Sequence, residues 1–462
     1  MVVLLWVLAS GAAADDRVLS LPGAPPLPSK HYSGYINASA TKHLHYYLVL
    51  SEGDPSSDPL VVWFNGGPGC SSLDGFLYEH GPFRFQTYNG TGSPQLERFE
   101  YTWAKLANVV YVEQPCGVGF SYSSAENTTS DYACTDATAA ADNLAALKEF
   151  FVKYPGLKGH ELYVTGESYA GVYVPTLAQA IIEDGTLALA GIAVGNGCSG
   201  NEVGICAFGD STQGSYYVTK YLMQTAFVPN SLKNDLDATC NWAEWSQGGE
   251  IADECQTHVD TLDKLTSKLD TYCVYCDCGE QFSANSREQM RGRRRRVGKA
   301  LGDDEEPTTA CIDSVAASAW LNQADVQEAI HVTPAGVSDW SVCGTPSNWE
   351  YTSTAANLPR DTYPYLVDHI KVLVYNGDWD SCVPYTDAEG WVLSLPYNIS
   401  APWHPWLLET NGYQSVGGYA TKLDVPKWFT FTTVRGGRHE VPETAPQRAF
   451  AMMHKFLSGA DF

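Results

Sequence analysis

Hydrophobic runs rich in β-branched and aromatic residues alternate with helical patterns along the first part of the chain. Runs that predict strands lie at 43–51, 59–65, 107–115, 161–167 and 191–196. Between the third and fourth runs, Ala, Leu and Phe recur at helical spacing until Pro155, and a second helical pattern covers 172–184. This alternation predicts an α/β fold with a mostly parallel central sheet flanked by helices on both faces.

The pattern changes after about residue 200. Residues 205–320 hold seven of the thirteen cysteines, several short helical patterns and no clear strand. Runs at 369–378 and 427–437 then resume the sheet, and 445–458 has the spacing of an amphipathic helix. We therefore expect one core domain that is interrupted by a mostly helical, disulfide-tied insertion.

The predicted core comprises residues 15–200 and 321–462, and residues 201–320 form the predicted cap insertion over the site. Within the insertion lies the segment REQMRGRRRRVGKALGDDEEPTT, whose six arginines precede an acidic patch. Such a segment cannot bury enough apolar surface to order itself. We expect a linker at about 285–309 that is either a solvated surface loop or is cut by a processing protease at Arg293–Arg296.

The first residues have features of a secretory signal peptide. An apolar run from Val2 to Ala9 is followed by small residues from Ala12 to Ala14, as in a hydrophobic region and its cleavage site. We expect residues 1–14 to be a signal peptide; because the usual basic region is missing, a frayed apolar N-terminus is the alternative. No later stretch has the roughly 18 consecutive apolar residues that a membrane span needs.

Thirteen cysteines and four Asn-x-Ser/Thr sequons agree with export. An odd number of cysteines in an exported chain predicts a partial disulfide framework with at least one free thiol. We expect passage through the secretory pathway to a vacuolar, lysosomal or extracellular destination. The predicted glycosylation sites are Asn37, Asn89, Asn127 and Asn398.

The composition narrows the class of protein. Apolar residues make up 44% and charged residues 18% of the chain, which is an ordinary globular balance. The formal net charge of −25 argues against nucleic acid as a partner, because phosphate binding needs clustered cations. An acidic surface also fits a protein that stays soluble in acidic surroundings.

The most informative stretch is VTGESYAG, from Val164 to Gly171. A predicted strand passes directly into a predicted helix, with Ser168 at the turn and small residues on either side. This arrangement is the nucleophile elbow of the α/β-hydrolase fold. The strict G-x-S-x-G pattern is not met because Ala170 takes the second Gly position, although Ala is small enough to serve. For this stretch alone, a structural turn serine is the alternative.

A serine hydroxyl needs a base, and the base needs an orienting acid. In this fold class the acid and then the histidine follow late strands. The run at 369–378 leads to Asp378-Trp379-Asp380, which supplies the acid. The run at 427–437 leads to a Gly-rich loop with His439. Other histidines after Ser168 lie in less suitable contexts.

A Gly-rich turn supplies candidate donors for the tetrahedral oxyanion. The sequence Asn65-Gly66-Gly67-Pro68-Gly69-Cys70 follows a predicted strand, so its backbone N–H groups can point at a neighbouring elbow. A phosphate-binding turn is the alternative, but the Lys and the spacing of a P-loop are absent.

Five motifs, in this order, together resemble the serine carboxypeptidase family, which includes carboxypeptidase Y, cereal serine carboxypeptidases and cathepsin A. They are WFNGGPGCSSLDG, VEQPCGVGFSYS, TGESYAGVYVP, YNGDWDSCVP and GGRHEVPETAP. The resemblance runs from about residue 30 to 457, and the cap is its poorly matching part. It implies an α/β-hydrolase fold and a serine-type carboxypeptidase that releases C-terminal residues at acidic pH through an acyl-enzyme intermediate.

The resemblance also implies roles for individual residues. By motif, Ser168, Asp380 and His439 match the catalytic triad, so the second Asp of GDWD takes the acid position. The N–H groups of Gly67 and Tyr169 match the oxyanion hole. The residues matching those that hold the substrate's terminal carboxylate are Asn65, Gly66, Glu79 and Glu167, with Trp63 lining the site. The motif departs from the family's usual G-A-G-H at Arg438, whose effect is open.

The two implied glutamates have a physical logic. Two neighbouring carboxyls cannot both ionise cheaply, so one pKa rises. A protonated pair can donate hydrogen bonds to a substrate carboxylate, whereas a doubly ionised pair would repel it. We therefore expect peptide binding to weaken as pH rises through the raised pKa of the Glu79 and Glu167 pair. A structural hydrogen-bonding role for Glu167 is the alternative.

The same resemblance implies the disulfides Cys70–Cys343, Cys240–Cys255 and Cys278–Cys311, the last of which would span the Arg-rich linker. Cys273, Cys276 and Cys278 cluster as metal ligands do, but clustered cysteines in an oxidising compartment more often pair. We expect no metal and no cofactor.

Two other functions are compatible with parts of the sequence. A carboxypeptidase-like acyltransferase with a sugar-ester donor would tend to replace the residues matched here by Asn65 and Glu167, and this chain keeps both. A non-catalytic protective or scaffold partner would show loss of the Ser, the His or the oxyanion turn, and none is lost. The expected partners are peptides or proteins with a free C-terminal carboxylate, and family members are often dimers, so the resemblance also implies a homodimer.

Overall fold

The computed structural model describes residues 15–207, 211–276, 314–333, 339–410 and 412–462. The predicted signal peptide of residues 1–14, the predicted linker at 285–309 and the predicted Cys278–Cys311 disulfide lie outside these residues. The strands, in chain order, are β1 (Arg17–Val18), β2 (His31–Asn37), β3 (Lys42–Val49), β4 (Leu60–Phe64), β5 (Phe83–Phe85), β6 (Leu96–Arg98), β7 (Asn108–Val112), β8 (Tyr122–Ser123), β9 (Ala133–Thr135), β10 (Leu162–Glu167), β11 (Leu189–Gly195), β12 (Glu350–Thr352), β13 (Lys371–Gly377), β14 (Ile399–Thr410), β15 (Tyr413–Leu423) and β16 (Trp428–Val434).

Twelve of the described strands form one sheet, in the order β1-β2-β3-β7-β4-β10-β11-β13-β16-β15-β14, with β8 paired to β3. The six central strands from β7 to β16 run parallel, and the strands on both flanks are antiparallel. The α/β-hydrolase fold with a mostly parallel central sheet is therefore confirmed.

Every run that predicted a strand corresponds to a strand of this sheet. The long hairpin of β14 and β15 gave no such signal. Pro402 and Pro405 lie within β14, and Gly417 and Gly418 lie within β15, where they interrupt the sequence pattern of a strand. Proline and glycine weaken a strand pattern, and proline within a sheet is tolerated at an edge, which is where β14 lies.

Helices cover both faces of the sheet. The longest, Asp136–Lys153, begins at a capping box between Thr135 and Thr138. The helix after Ser168 ends at Gly185, whose φ of 67° is readily adopted by glycine. The α-helices of the described residues are Thr129–Tyr132, Asp136–Lys153, Ala170–Asp184, Gln213–Met223, Asn230–Thr239, Trp242–Trp245, Asp253–Thr266, Val315–Leu321, Ala324–Ala329, Leu358–Asp361, Tyr363–His369, Tyr385–Ser394, Val441–Thr444 and Pro446–Ser458.

Alternate residues of the central strands enter two separate apolar cores, because successive side chains of a strand point to opposite faces. On one face, Val62 and Val164 pack in a cluster with Phe150 and Leu177 of the two long helices. On the other face, the cluster includes Val61, Trp63, Tyr163, Met452 and Phe456. The sheet is thus buried on both sides, which holds the ends of its central strands in place.

Helices Gln213–Met223, Asn230–Thr239 and Asp253–Thr266 surround a third, smaller apolar cluster. A disulfide joins Cys240 to Cys255 within it. The described residues between 201 and 276 contain no strand. This supports our proposal that residues 201–320 form a cap insertion. None of the helices in the described ranges is both long and apolar enough to cross a bilayer.

Asp387, on helix Tyr385–Ser394, joins the start of the proposed cap to the core. Its Oδ2 accepts a hydrogen bond from the Ile205 N–H at 2.8 Å. Its Oδ1 and the Ser199 hydroxyl are both buried without a partner among the described residues. Tyr217 is the titratable side chain that faces it. Burial raises the pKa of Asp387 to about 7.

Asp387 should make the folded protein more stable at acidic pH. In the unfolded chain the pKa of Asp387 is about 4, so the native state binds the proton more tightly than the unfolded state does. The free energy of unfolding therefore falls as pH rises from about 4 to about 7. The loss is up to about 1.4 kcal/mol per pH unit. Asp387→Asn should remove this slope, because the amide stays neutral. Urea unfolding midpoints from about pH 4 to 8 measure it.

The exposed Asp368→Asn is the matched control, and it should retain the wild-type slope. An Asp387→Asn protein with an unchanged pH dependence would show that this carboxyl does not titrate on folding.

Candidate active site

Ser168, Asp380 and His439 follow β10, β13 and β16, which are parallel strands of the central sheet. The registers place Glu167 beside Gly195, Gly195 beside Tyr375 and Tyr375 beside Thr432. Because the carboxyl ends of parallel strands meet at one edge of a sheet, all three residues lie in loops at the same edge.

Ser168 occupies a strained turn. Its φ of 60° lies in the left-handed region, which is uncommon for residues other than glycine. A Cβ on Gly166 would lie 2.6 Å from the Ala170 Cβ, so the turn excludes a larger residue at 166. The Ser168 N–H donates to Gly195 O at 3.0 Å, and Ser168 O accepts from the Cys198 N–H at 3.0 Å. These contacts have the form of a nucleophile elbow.

Asp380 and His439 are hydrogen-bonded to each other. Nδ1–H of His439 donates to Asp380 Oδ2 at 2.8 Å, and both side chains are buried. Burial disfavours the imidazolium, but the charge of Asp380 and this hydrogen bond outweigh it and raise the pKa of His439. Nε2 of His439 is buried and has no hydrogen-bond partner among the described residues, Ser168 included. That nitrogen is therefore available to accept a proton.

Asp378 and Asp380 have different partners, which distinguishes the two candidate acids. Asp378 Oδ1 accepts from the Gly436 N–H at 2.7 Å and so holds the turn after β16. Asp380 accepts from the backbone N–H of Cys382 at 2.7 Å and of Val383 at 3.2 Å, besides His439. The structure thus pairs the histidine with the second aspartate of GDWD.

Asn196 is a site residue that the sequence reasoning missed. Its Nδ2 donates to Asp380 Oδ2 at 2.7 Å, and its Oδ1 accepts from the Gly377 N–H at 3.0 Å. Its φ of 39° is left-handed, which Asn tolerates better than most residues. Asn-Gly directly after β11, at the edge that carries the other site loops, was the signal that could have identified it.

The turn from Gly66 to Gly69 lies against the elbow. A Cβ on Gly66 would lie 2.8 Å from the Ser168 Cβ and would collide with Tyr169 N. Neither the Gly67 N–H nor the Tyr169 N–H donates to a protein group among the described residues. Two backbone donors on touching turns can stabilise an oxyanion that forms beside Ser168.

Asn65 connects two buried glutamates. Its Oδ1 accepts from Trp63 Nε1–H at 2.7 Å and from the Gly75 N–H at 3.1 Å, which fixes the orientation of the amide. Its Nδ2 then donates to Glu79 Oε1 at 3.0 Å and to Glu167 Oε1 at 2.9 Å. The implied carboxylate-binding residues thus form one cluster, and Glu167 immediately precedes Ser168.

Burial raises the pKa of both glutamates well above the ordinary range. The charge of Asp74 adds to the shift of Glu79, and the charge of Glu79 adds to that of Glu167. The glutamates are 1% and 4% exposed, so they are poorly solvated as anions. The cluster therefore holds protons at acidic pH and can donate hydrogen bonds from them.

Arg438 is buried within a set of ion pairs. Its Nη2 donates to the Glu443 carboxylate, and its Nε lies 3.1 Å from Glu440 Oε2. The backbone N–H of Arg438 donates to Thr444 Oγ1 at 2.9 Å. Arg438, the residue that departs from the family motif, therefore neutralises nearby carboxylates. Its positive charge also opposes, but does not cancel, the rise in the pKa of the neighbouring His439.

The structure joins Cys70 to Cys343 and Cys240 to Cys255, as the resemblance implied. It also joins Cys198 to Cys206 and Cys273 to Cys276, two pairs that the resemblance does not imply. Asn37, Asn89, Asn127 and Asn398 are all exposed, as glycan acceptors must be. In the described part of the chain, no group of three or more His, Cys, Asp or Glu side chains is placed to hold a metal ion.

Comparisons with known proteins agree on one family. A family model described as serine carboxypeptidase matches residues 22–459. The lysosomal protective protein of Mus musculus is 33% identical over 482 residues, covering 99% of this chain and 97% of its own. Serine carboxypeptidase 1 of Hordeum vulgare is 31% identical over 491 residues, covering 97% and 94%. The Saccharomyces cerevisiae prohormone-processing carboxypeptidase Kex1 has a similar fold, with a TM-score of 0.68, 18% identity and coverage of 97% and 96%.

Asn196→Ala should weaken the pairing of Asp380 with His439. Losing a hydrogen bond to a charged group costs about 1.5–3 kcal/mol, so the reactivity of Ser168 should fall roughly 10- to 100-fold. The rate at which a fluorophosphonate labels Ser168 measures this without a substrate. Asn322→Ala is the matched control, because that amide bonds Ser318 O and Trp340 O away from the site. Equal labelling rates for Asn196→Ala and the wild type would contradict a positioning role.

Proposed function

Because the chain belongs to the serine carboxypeptidase family of hydrolases, we propose that it releases C-terminal residues from peptides and proteins at acidic pH through an acyl-enzyme intermediate. The observation that carries the proposal is the amide of Asn65 bonded to two buried glutamates, one of them directly before Ser168. We propose that this cluster binds the C-terminal carboxylate of the substrate. An enzyme that cleaves internal peptide bonds does not need such a binding site.

In the proposed acylation, His439 Nε2 takes the Ser168 proton while Oγ attacks the carbonyl carbon of the last peptide bond. The N–H groups of Gly67 and Tyr169 stabilise the oxyanion. The intermediate collapses, His439 returns the proton to the leaving nitrogen, and the C-terminal amino acid departs. Water then attacks the acyl-enzyme with the same base, which restores Ser168. Asp380 holds the imidazole and stabilises its charged form.

The proposed carboxylate site requires protonated glutamates. The substrate carboxylate accepts hydrogen bonds from the Gly66 N–H and from the protons held by Glu79 and Glu167, and Asn65 orients the two glutamates through its Nδ2 hydrogens. Ionisation of the pair removes those donors and adds like charge, so binding weakens at higher pH. His439, in contrast, must be neutral to act as the base. Activity is therefore limited at low pH by protonation of His439 and at high pH by ionisation of the glutamates. The need for protonated glutamates favours acidic conditions.

The proposed setting is the secretory pathway, with a vacuolar, lysosomal or extracellular destination. Four disulfides among the described residues support an oxidising compartment. One relative carries "lysosomal" in its name, and the four sequon asparagines are exposed. We propose peptides and proteins with a free C-terminus as partners and a homodimer as the assembly.

Blocked dipeptides that differ only in a free or amidated C-terminus test the proposal at about pH 5. We expect release of the C-terminal residue from the free acids alone, because only they offer a carboxylate to the proposed carboxylate site. Ser168→Ala should lower kcat by about 10⁴-fold or more. Equal cleavage of both forms would contradict the proposed carboxylate site. Ester transfer to an alcohol without peptide cleavage would indicate an acyltransferase instead.

The pH dependence of KM tests the glutamate pair. The raised pKa values mean that the pair is protonated at low pH and ionises as pH rises. KM for a free-acid peptide should therefore increase with pH above that point, by up to about tenfold per pH unit for each proton lost. Glu167→Gln should flatten the increase, because an amide donates at every pH.

The exposed Glu126→Gln is the control for the loss of one carboxyl, and it should keep the wild-type profile. A KM that stays level from about pH 4 to 8 in the wild type would rule out the proton-dependent grip.

A further inference from the structure

Residues 271–276, which we name the strap, belong to the proposed cap but contact both loops that carry the catalytic acid and base. The His439 N–H donates to Tyr272 O at 3.0 Å. The N–H groups of Ser381 and Cys382 both donate to Thr271 O at 2.9 Å. The strap therefore bonds the backbone of His439 and of the two residues that follow Asp380.

Further contacts tighten this attachment. The Val274 N–H donates to Trp379 O at 2.9 Å, on the other side of Asp380. The Tyr272 ring packs edge-on against the His439 ring, with centroids 4.5 Å apart and planes at 78°. The imidazole of His439 is thus hydrogen-bonded to Asp380 at Nδ1 and packed against the Tyr272 ring, and the backbone of His439 is bonded to the strap.

The strap has no helix or strand of its own. Its shape depends on a turn closed by the Cys273–Cys276 disulfide, in which the Cys276 N–H donates to Cys273 O at 3.2 Å. Cys273 is fully buried and directly follows Tyr272. A disulfide across so short a turn restricts the backbone angles of the residues it encloses.

We propose that the Cys273–Cys276 disulfide positions the catalytic acid and base, by holding the turn through which Thr271, Tyr272 and Val274 bond the Asp380 and His439 loops. Cys273 and Cys276 are positioning residues in this proposal and touch no substrate. The inference rests on the proposed function for its turnover measurement, but not for its measurement of Ser168 reactivity.

Opening this disulfide should change kcat rather than KM. The hydrogen bonds of the strap reach the Asp380 and His439 loops, whereas Asn65, Glu79 and Glu167 bond none of its residues. The hydrogen bond to Asp380 raises the pKa of His439. A looser strap weakens this bond, so the pKa of His439 should fall. Asp380, Glu440, Arg438 and the Tyr272 ring face that imidazole. With Asp380 less well aligned, the acid limb of the activity profile should move to lower pH.

The test compares the wild type with Cys273→Ser/Cys276→Ser, which leaves no unpaired thiol from this pair. We expect fluorophosphonate labelling of Ser168 and kcat on a free-acid dipeptide to fall about tenfold, with KM within about twofold. The acid limb of labelling against pH should shift downward. Cys240→Ser/Cys255→Ser is the matched control, because it removes a disulfide between two cap helices. It should lower the melting temperature without changing the labelling rate or the acid limb.

Tyr272→Leu keeps the disulfide and is the second variant if the double replacement does not fold. It should slow labelling and shift the acid limb in the same direction. Wild-type labelling rates in Cys273→Ser/Cys276→Ser, or equal losses in the Cys240→Ser/Cys255→Ser control, would overturn the proposal. A wild-type enzyme that labels at Ser168 but cleaves no free-acid dipeptide would refute the proposed function while leaving the labelling comparison valid.

Discussion

The buried carboxylate of Asp380 is the constraint on which this site depends. The side chain is 0% exposed, and an unpaired charge in such a position costs several kcal/mol. It is compensated by backbone N–H groups of its own loop, by Asn196 from the loop after β11 and by His439 from the loop after β16. Three segments far apart in sequence must therefore converge on one carboxylate, and the strand order β11-β13-β16 makes this convergence possible.

A second group of buried acids clusters around Asn65 beside Ser168, and its carboxyls are shifted in the opposite direction from a paired carboxylate. Asp380 is hydrogen-bonded to His439 and favours its charged form, whereas Glu79 and Glu167 form no ion pair among the described residues and are shifted towards the protonated form. Carboxyl groups thus have two different protonation preferences in this site, because Asp380 bonds His439 whereas the glutamates bond the neutral amide of Asn65. The glutamate pair adjoins the elbow, because Glu167 ends β10 and Ser168 begins the strained turn.

Residues of the proposed cap contact the loops of this candidate site directly. Its helices have their own apolar cluster and their own disulfide, so most of it is held independently of the sheet. The strap and Tyr221 are different: Tyr221 donates to Asp378 O at 2.9 Å, and the strap bonds residues on both sides of Asp380. The loops that carry Asp380 and His439 are therefore packed between the sheet edge and the proposed insertion.

Local signals in the sequence were sufficient for the elements and for the elbow, because strand runs, helical spacing and the small residues around Ser168 depend on neighbours along the chain. They also placed His439 in the right kind of loop. They left Asp378 and Asp380 unresolved until the family motif was considered, since both follow β13. Asn196, the Cys273–Cys276 pair and the β14–β15 hairpin were not found by this reasoning. The sequence by itself determined the fold class and the candidate nucleophile and, through the family motif, pointed to Asp380, whereas only the tertiary structure showed which other groups hold Asp380 and His439. The physical reason is that those contacts depend on which loops become neighbours at the sheet edge, and no periodicity along the chain encodes that order.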